Sequence, residues 1–313
     1  MKYNFQFNRA KMKQIKALFV GILMLFMHSA FSQGNEEYNG PIIDMHLHAF
    51  GENSGFETML GQPMPNPLTG KVYNAPATLD EVKAQTLKKM KEHNIVRAML
   101  SGARNWPDAD PAVFWKGQGH SSPVAELRQM HSAGELDVIG EVAPNYAGMT
   151  PTAPVLAQYY DVAEELNVPM AYHLFPGGPP GGAYMMYPET RAAHGKPLVM
   201  EDILLSHRNM RIYIMHAGWP YLEDMKALMY AHPQVYVDTG VIAWILPRAE
   251  FHKFIKGLVD AGFGKRIMFG SDQMVWAETI TDSIDAINSM DFLTVEQKAD
   301  IFYNNALRFM NAK

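Results

Sequence analysis

The sequence predicts an α/β fold, a (β/α)8 TIM-like barrel, on two observations. Eight short apolar runs alternate with stretches of helical pattern, which is how a parallel sheet with crossover helices is written. Polar residues able to do chemistry recur at the C-terminal ends of those runs, the end where a barrel gathers its site. An open doubly wound sheet is the runner-up, but no Gly-x-Gly-x-x-Gly follows the first run.

The first strand is 41–48, ending in Asp44-Met45-His46-Leu47-His48. Side chains alternate along a strand, so His46 and His48 project to one side, about 7 Å apart, and can converge on one ion. The Gly- and Pro-containing segment 51–77 is long enough to cover one end of a barrel and reads as an active-site loop. Thr78, with Asp80 and Glu81 behind it, opens a helix to about residue 94 through a hydroxyl cap and acids in the first turn. Strands follow at 95–100, 113–116, 138–142, 169–174, 210–216, 235–239 and 267–271. Helices are expected at 122–136, 152–167, 198–209, 222–232, 249–261, 279–290 and 295–311.

A chain of 313 residues, 48% hydrophobic, can bury the core of a single barrel domain, here 33–313. There is no cysteine, which excludes disulfides, thiolate zinc sites, cysteine nucleophiles and lipid attachment through an N-terminal cysteine. Any metal must be held by nitrogen and oxygen. Residues 1–32 read as a secretory signal peptide: Lys2, Arg9, Lys11, Lys13 and Lys16, an apolar stretch from 17 to 27, then Ala30-Phe31-Ser32 before cleavage at Gln33. Met12 is an alternative start. The stretch is short for a permanent anchor, so an exported, periplasmic or secreted protein with no stable membrane anchor is expected. Its removal takes five positive charges and no negative ones, moving the formal charge from −5 to −10. Such acidity disfavours nucleic acid and anionic membranes as partners; the partner expected is a small-molecule substrate.

His173 ends the strand 169–174, His216 the strand 210–216, and Asp272 follows 267–271, while Glu141 lies at the end of 138–142. Each alone has a structural explanation, such as a satisfied core histidine or a helix cap. With His46 and His48 they share one rim, which independent structural residues have no reason to do.

On Asp44-Met45-His46-Leu47-His48, Tyr172-His173, His216-Ala217-Gly218, Gly270-Ser271-Asp272 and Asn305-Ala306-Leu307-Arg308, the chain resembles the amidohydrolase superfamily, in its amidohydrolase-related branch, from residue 42 to about 309. The resemblance implies that His46, His48, His173 and Asp272 bind a divalent metal, usually zinc. It also implies that His216 either contacts substrate and catalytic water or ligates a second ion. Binuclear relatives place a carboxylated lysine or a glutamate where this chain has Glu141. Glu141 thus contacts metal, as in the similar Gly-Glu motif of TatD-type nucleases, or orients a ligand or water from behind.

That ligand set leaves room for a water whose pKa zinc lowers toward neutrality. The expected enzyme is a metal-dependent hydrolase of an amide, ester or lactone, with Asp272 moving the proton and His216 polarising the carbonyl. The alternative, also carried by the resemblance, is a metal-dependent non-oxidative decarboxylase of an aromatic or unsaturated acid. Those decarboxylases carry a proline-rich segment after the last aspartate, whereas this chain reads Gln273-Met274-Val275-Trp276, which favours hydrolysis. A barrel retained only for binding is the third reading. Segment 175–182 reads as a rim loop or a plain connector, and Trp106, Trp219, Tyr221 and Trp276 as mouth walls or helix packing. Arg104 and His194 are candidates for a substrate carboxylate or solvated surface groups, and the methionines are core filler.

Overall fold

The computed structural model describes residues 36–312 apart from 53, 102–105, 107 and 179; the leader 1–32 and Arg104 lie outside the described residues. Strand β1 (Ile42–His48) precedes a small antiparallel hairpin, β2 (Pro63–Pro65) and β3 (Val72–Asn74). Then come β4 (Ile95–Ser101), β5 (Phe114–Lys116), β6 (Ile139–Val142), β7 (Met170–His173), β8 (Ile212–Met215), β9 (Val235–Asp238) and β10 (Ile267–Met268). Two parallel arcs result, β1-β4-β5 and β6 through β10. Backbone bonds cross both seams: Gly117 bridges Val138 between β5 and β6, and the Met45 N–H donates to the Phe269 carbonyl (2.9 Å) between β1 and β10. The eight strands of the two arcs thus form the expected barrel.

One inner layer fills it. Ile43, Met45, Met99, Trp115, Val138, Ala171, Tyr213 and Met268 pack together, each from or beside a different part of the wall, and Phe309 from the last helix plugs the lower end. Bulky side chains meeting at the axis make a packed core rather than a pore. Outside, the helices bury apolar faces against the strands. Helix Leu79–Glu92 shows why: Thr78 and Glu81 close a capping box, Val82, Thr86 and Met90 recur every fourth residue on the buried face, and Lys89 and Lys91 sit at the negative end.

Several expected helices are shorter than their patterns. Pro154 and Pro197 each open a 3-10 turn, leaving α-helix only at Ala157–Glu165 and Glu201–Ser206. Proline fixes φ and lacks the donor that would extend the helix backward, so it starts turns. The expected helix 295–311 is interrupted by a π segment at Asp300–Asn304. Strand β10 pairs over only two residues, because the chain turns sharply into Asp272 (φ 49°).

The loop 51–77 contains the hairpin. Asn66 ties it across the mouth, donating from Nδ2 to the Ile245 carbonyl (2.9 Å) just beyond β9, and Tyr73 packs edge-on against Trp244 at 5.4 Å. Tyr73 and Lys71 both donate to Asp282 on helix Glu278–Asn288 (2.7 and 2.6 Å). Among the described residues, no helix is long and apolar enough to cross a membrane.

Candidate metal centre

Six side chains named by the sequence meet at the C-terminal mouth. His46 and His48 lie on β1, Glu141 on β6 and His173 at the end of β7; His216 follows β8 and Asp272 follows β10. Their inward atoms are close. His48 Nε2 is 2.9 Å from Asp272 Oδ1, and His46 Nε2 is 3.6 Å from it. Glu141 spans the group: Oε2 lies 3.7 and 3.8 Å from His46 and His48 Nε2, and Oε1 lies 2.5 Å from His173 Nδ1. His216 Nε2 is 2.9 Å from His173 Nδ1.

Local structure aims these groups. The β6–β7 register shifts between Ile139 and Val142, the stretch that carries Glu141, and such irregularities redirect a side chain at a rim. Gly240 and Gly270 leave room for the His46 ring, since a Cβ at either would come within 2.5 Å of Nδ1 or 2.8 Å of the His46 Cβ. His216 and Asp272 both hold positive φ (60° and 49°), a costly backbone state for residues with side chains and one concentrated at functional sites.

Buried partners behind the cluster set its tautomers. His46 Nδ1 faces Asp238 Oδ2 at 3.1 Å, and an Nδ1–H donated there turns Nε2 inward. His216 Nδ1 likewise faces the Gly240 carbonyl at 3.0 Å. Burial first, then the neighbouring His173, lowers the His216 imidazole to about 4, so the ring is neutral at pH 7 and presents an acceptor to the site. For His46, burial works downward, but the carboxylates of Asp272 and Asp238 outweigh it and push the imidazole well above its usual range. Burial would raise Asp272, yet His46, His48 and His216 bring it down to about 2. Glu141 is held well below the usual carboxylate range, burial being outweighed by His173 and His46.

The donor set fits a divalent cation. His46 Nε2 is buried with no hydrogen-bond partner among the described residues, an arrangement proteins avoid unless something else satisfies the atom. Ligand atoms of three overlapping sets lie within 4.8 Å of one another: His46, His216 and Asp272; His46, His48 and Glu141; and Glu141, His173 and His216. Imidazole nitrogens with carboxylate oxygens suit zinc, iron or manganese better than calcium or magnesium. No soft sulfur ligand takes part.

Some residues at the centre have no role in the sequence reading. Asp238, fully buried, touches His46 with one oxygen, while the other accepts from the backbone N–H groups of His216 and Gly240 (2.9 and 2.8 Å). Gln273 pairs with the His48 backbone in both directions, accepting from its N–H (2.9 Å) and donating to its carbonyl (2.6 Å). Asp44 accepts from the His46 and Ser271 N–H groups, and burial lifts its carboxyl to about 6. Tyr146, in the turn Pro144–Ala147 after β6, lies with its ring 4.7 Å from that of His173.

Of the rim candidates, Phe175 and Trp219 pack beside His216, Phe175 at 5.1 Å from its ring and Trp219 at 5.8 Å from Phe175. Trp276 is buried against Trp244, and Tyr221 donates to the Ala192 carbonyl at the surface. Trp106 packs on Phe114 and, with Phe50, Lys83 and Asp80, lines a cavity of about 520 Å³ beside the mouth. His194 is half-buried in the turn Ala192–Gly195.

Solved structures share this fold at low identity. An uncharacterized TIM-barrel protein from Bordetella bronchiseptica superposes with a TM-score of 0.63 at 14% identity, over 87% of this chain and 99% of that one. A probable 2-pyrone-4,6-dicarboxylic acid hydrolase from Acinetobacter baumannii gives 0.58 at 15%, over 87% and 100%. A 5-carboxyvanillate decarboxylase from Novosphingobium aromaticivorans, solved with manganese, gives 0.58 at 13%, over 88% and 100%. No curated protein matches the chain. The amidohydrolase family model matches residues 43–311, from the first strand to the last helix and so across every member of the cluster, and the chain belongs to the amidohydrolase family.

Proposed function

We propose that the chain is a metal-dependent hydrolase that adds water to the carbonyl of an amide, ester or lactone in a small molecule. The observation that carries this reading is the convergence of four imidazoles and two carboxylates on one mouth, with the buried His46 Nε2 left without a hydrogen-bond partner among the described residues. We assign zinc, held by His46, His48, His173 and Asp272, with Glu141 and His216 completing a place for a second ion. The two Glu141 oxygens face opposite halves of the group, which supports the bridging role. Bound there, the metal supplies Lewis acidity at the carbonyl and brings the pKa of water toward neutrality.

The chain's own groups do the rest. Asp272, held ionised by three imidazoles, accepts the proton from the attacking water as the C–O bond forms, and returns it to the leaving oxygen or nitrogen as that bond breaks. His216, neutral and with its Nδ1 side engaged by Gly240, acts as a ligand rather than as a hydrogen-bond donor to the carbonyl. Aromatic rings stacked beside the histidines exclude water from the flanks. We also propose export of the protein after loss of residues 1–32, which N-terminal sequencing of material from outside the cytoplasm would test.

A second reading, non-oxidative decarboxylation of a planar aromatic acid, is favoured by that same aromatic lining: Phe50 stacks on His48 at 4.7 Å, and the Tyr146 ring lies tilted against that of His173. A panel of lactones, esters, amides and carboxylated phenols, with and without chelator and with zinc or manganese restored, separates the two. The expected result is chelator-sensitive turnover of an acyl substrate. Carbon dioxide release from a carboxylated phenol with no acyl hydrolysis would replace the first reading by the second.

A further inference from the structure

One hydroxyl at the mouth has no hydrogen-bond partner among the described residues. Tyr146 follows Glu141 by five residues and its ring is sandwiched, 4.7 Å from the His173 ring and 4.1 Å from that of Tyr187. The stack fixes the ring. Its hydroxyl has no hydrogen-bond partner among the described residues, although Asn145 beside it is anchored to the Phe175 carbonyl (3.1 Å) and its turn is opened by Pro144. The phenol oxygen is within electrostatic reach of both Glu141 and Asp272, yet those carboxylates are already engaged by His173, His46 and His48. A tyrosine hydroxyl carries its proton at neutral pH and can donate it to an oxygen brought from outside.

A half-buried donor with no partner of its own is satisfied by water or by a ligand, and a donor whose ring is held between His173 and Tyr187 costs little to use because its rotamer is already fixed. We propose that Tyr146 is a substrate-contacting residue whose hydroxyl donates a hydrogen bond to a carbonyl or carboxylate oxygen of the small acyl compound held against the histidine–carboxylate cluster. This rests on the function proposed above as far as turnover is concerned. It selects substrates that carry an oxygen acceptor on the β6–β7 side, in addition to the reacting carbonyl. Tyr187, with its ring against Tyr146, acts as a positioning residue for it.

The test compares Tyr146→Phe, which keeps the stack, with the unaltered protein, both loaded with zinc. Turnover is measured on the best substrate of the panel, benzoate binding is measured by calorimetry, and bound metal is counted. The expected outcome is a fall of about 10- to 100-fold in kcat/KM and about tenfold weaker benzoate binding, the size of a lost hydrogen bond to a carbonyl or carboxylate. Metal content and Tm stay the same. Equal benzoate affinity in the two proteins, no benzoate binding by the unaltered protein at millimolar concentration, or loss of metal from Tyr146→Phe would each overturn the proposal. Turnover indifferent to chelator would instead sink the metal-dependent reading, and benzoate affinity would still report on Tyr146.

Discussion

The two sides of the metal centre are held in place by different means. On the β1–β9–β10 side, the ligands are braced by groups that do not face the ion: Asp238 behind His46, Gln273 along the His48 backbone, and Asp44 across the His46 and Ser271 amides. On the β6–β7–β8 side only His216 has such a brace, from the Gly240 carbonyl and Asp238, while Glu141 and His173 touch chiefly other members of the cluster, and Glu141 alone keeps a visibly exposed side chain, at 16%. Braced ligands are already in place before a cation arrives, whereas mutually bonded ones must exchange partners to receive it. The first side should therefore hold its ion tightly, and the second more weakly.

Breaking the reaction without breaking this asymmetry takes Asp272, which belongs to the braced side and to which the proposed function gives the proton transfer. Asp272→Asn should lower turnover by about 10³-fold or more with the fold intact, read by steady-state kinetics beside a circular dichroism spectrum. Near-normal kcat would remove Asp272 from the chemistry. Sharpening the comparison takes one substitution on each side. Asp238→Asn keeps the shape but no longer fixes the His46 tautomer, so affinity for the tighter ion should fall about 10- to 100-fold with stoichiometry unchanged, measured by competition with a fluorescent chelator. Glu141→Gln should instead cost one ion per chain where two are bound, with the affinity of the remaining one altered only a few-fold. If both variants lose the same ion, the two sides are not distinct.

The six members of the cluster were legible in the sequence on both sides of the centre, each at the end of an apolar run. His46, His48 and Asp272 end apolar runs, and strand alternation puts the two histidines together without any tertiary information. Asp238 was as accessible to the same logic, because Val235-Tyr236-Val237-Asp238 ends with an acid just as the stretch before Asp272 does. Its reading as an ordinary strand end passed it over. The hairpin in 63–74 was hidden for another reason: prolines at both ends of β2 argue against a strand, and only its place at the edge of a two-stranded sheet tolerates them. Tyr146 and Gln273 had no periodic signal at all. Tyr146 lies in a single 3-10 turn and Gln273 in an irregular stretch, and their roles arise from long-range packing against His173 and β1. The asymmetry between the sides belongs to that same class, since it depends on which partner stands behind each ligand.

The smallest effect concerns acid stability of the metal-free protein, where two buried aspartates of the braced side pull in opposite directions. Asp272 is lowered from 3.8 to about 2, so its ionised form stabilises the fold by roughly 2 kcal/mol above pH 4, and this is lost as pH falls through about 2. Asp44 is raised from 3.8 to about 6, so it favours the fold when protonated and weakens it as pH rises from about 4 through 6. Urea unfolding of chelated protein at about pH 6, 4 and 2.5 should accordingly show greatest stability near the middle value. Asp272→Asn should flatten the acid limb, and Asp44→Asn the limb between about 4 and 6. An unchanged acid limb in Asp272→Asn would mean that the three imidazoles do not hold this carboxylate ionised without metal, and that its geometry is made by the cation rather than waiting for it.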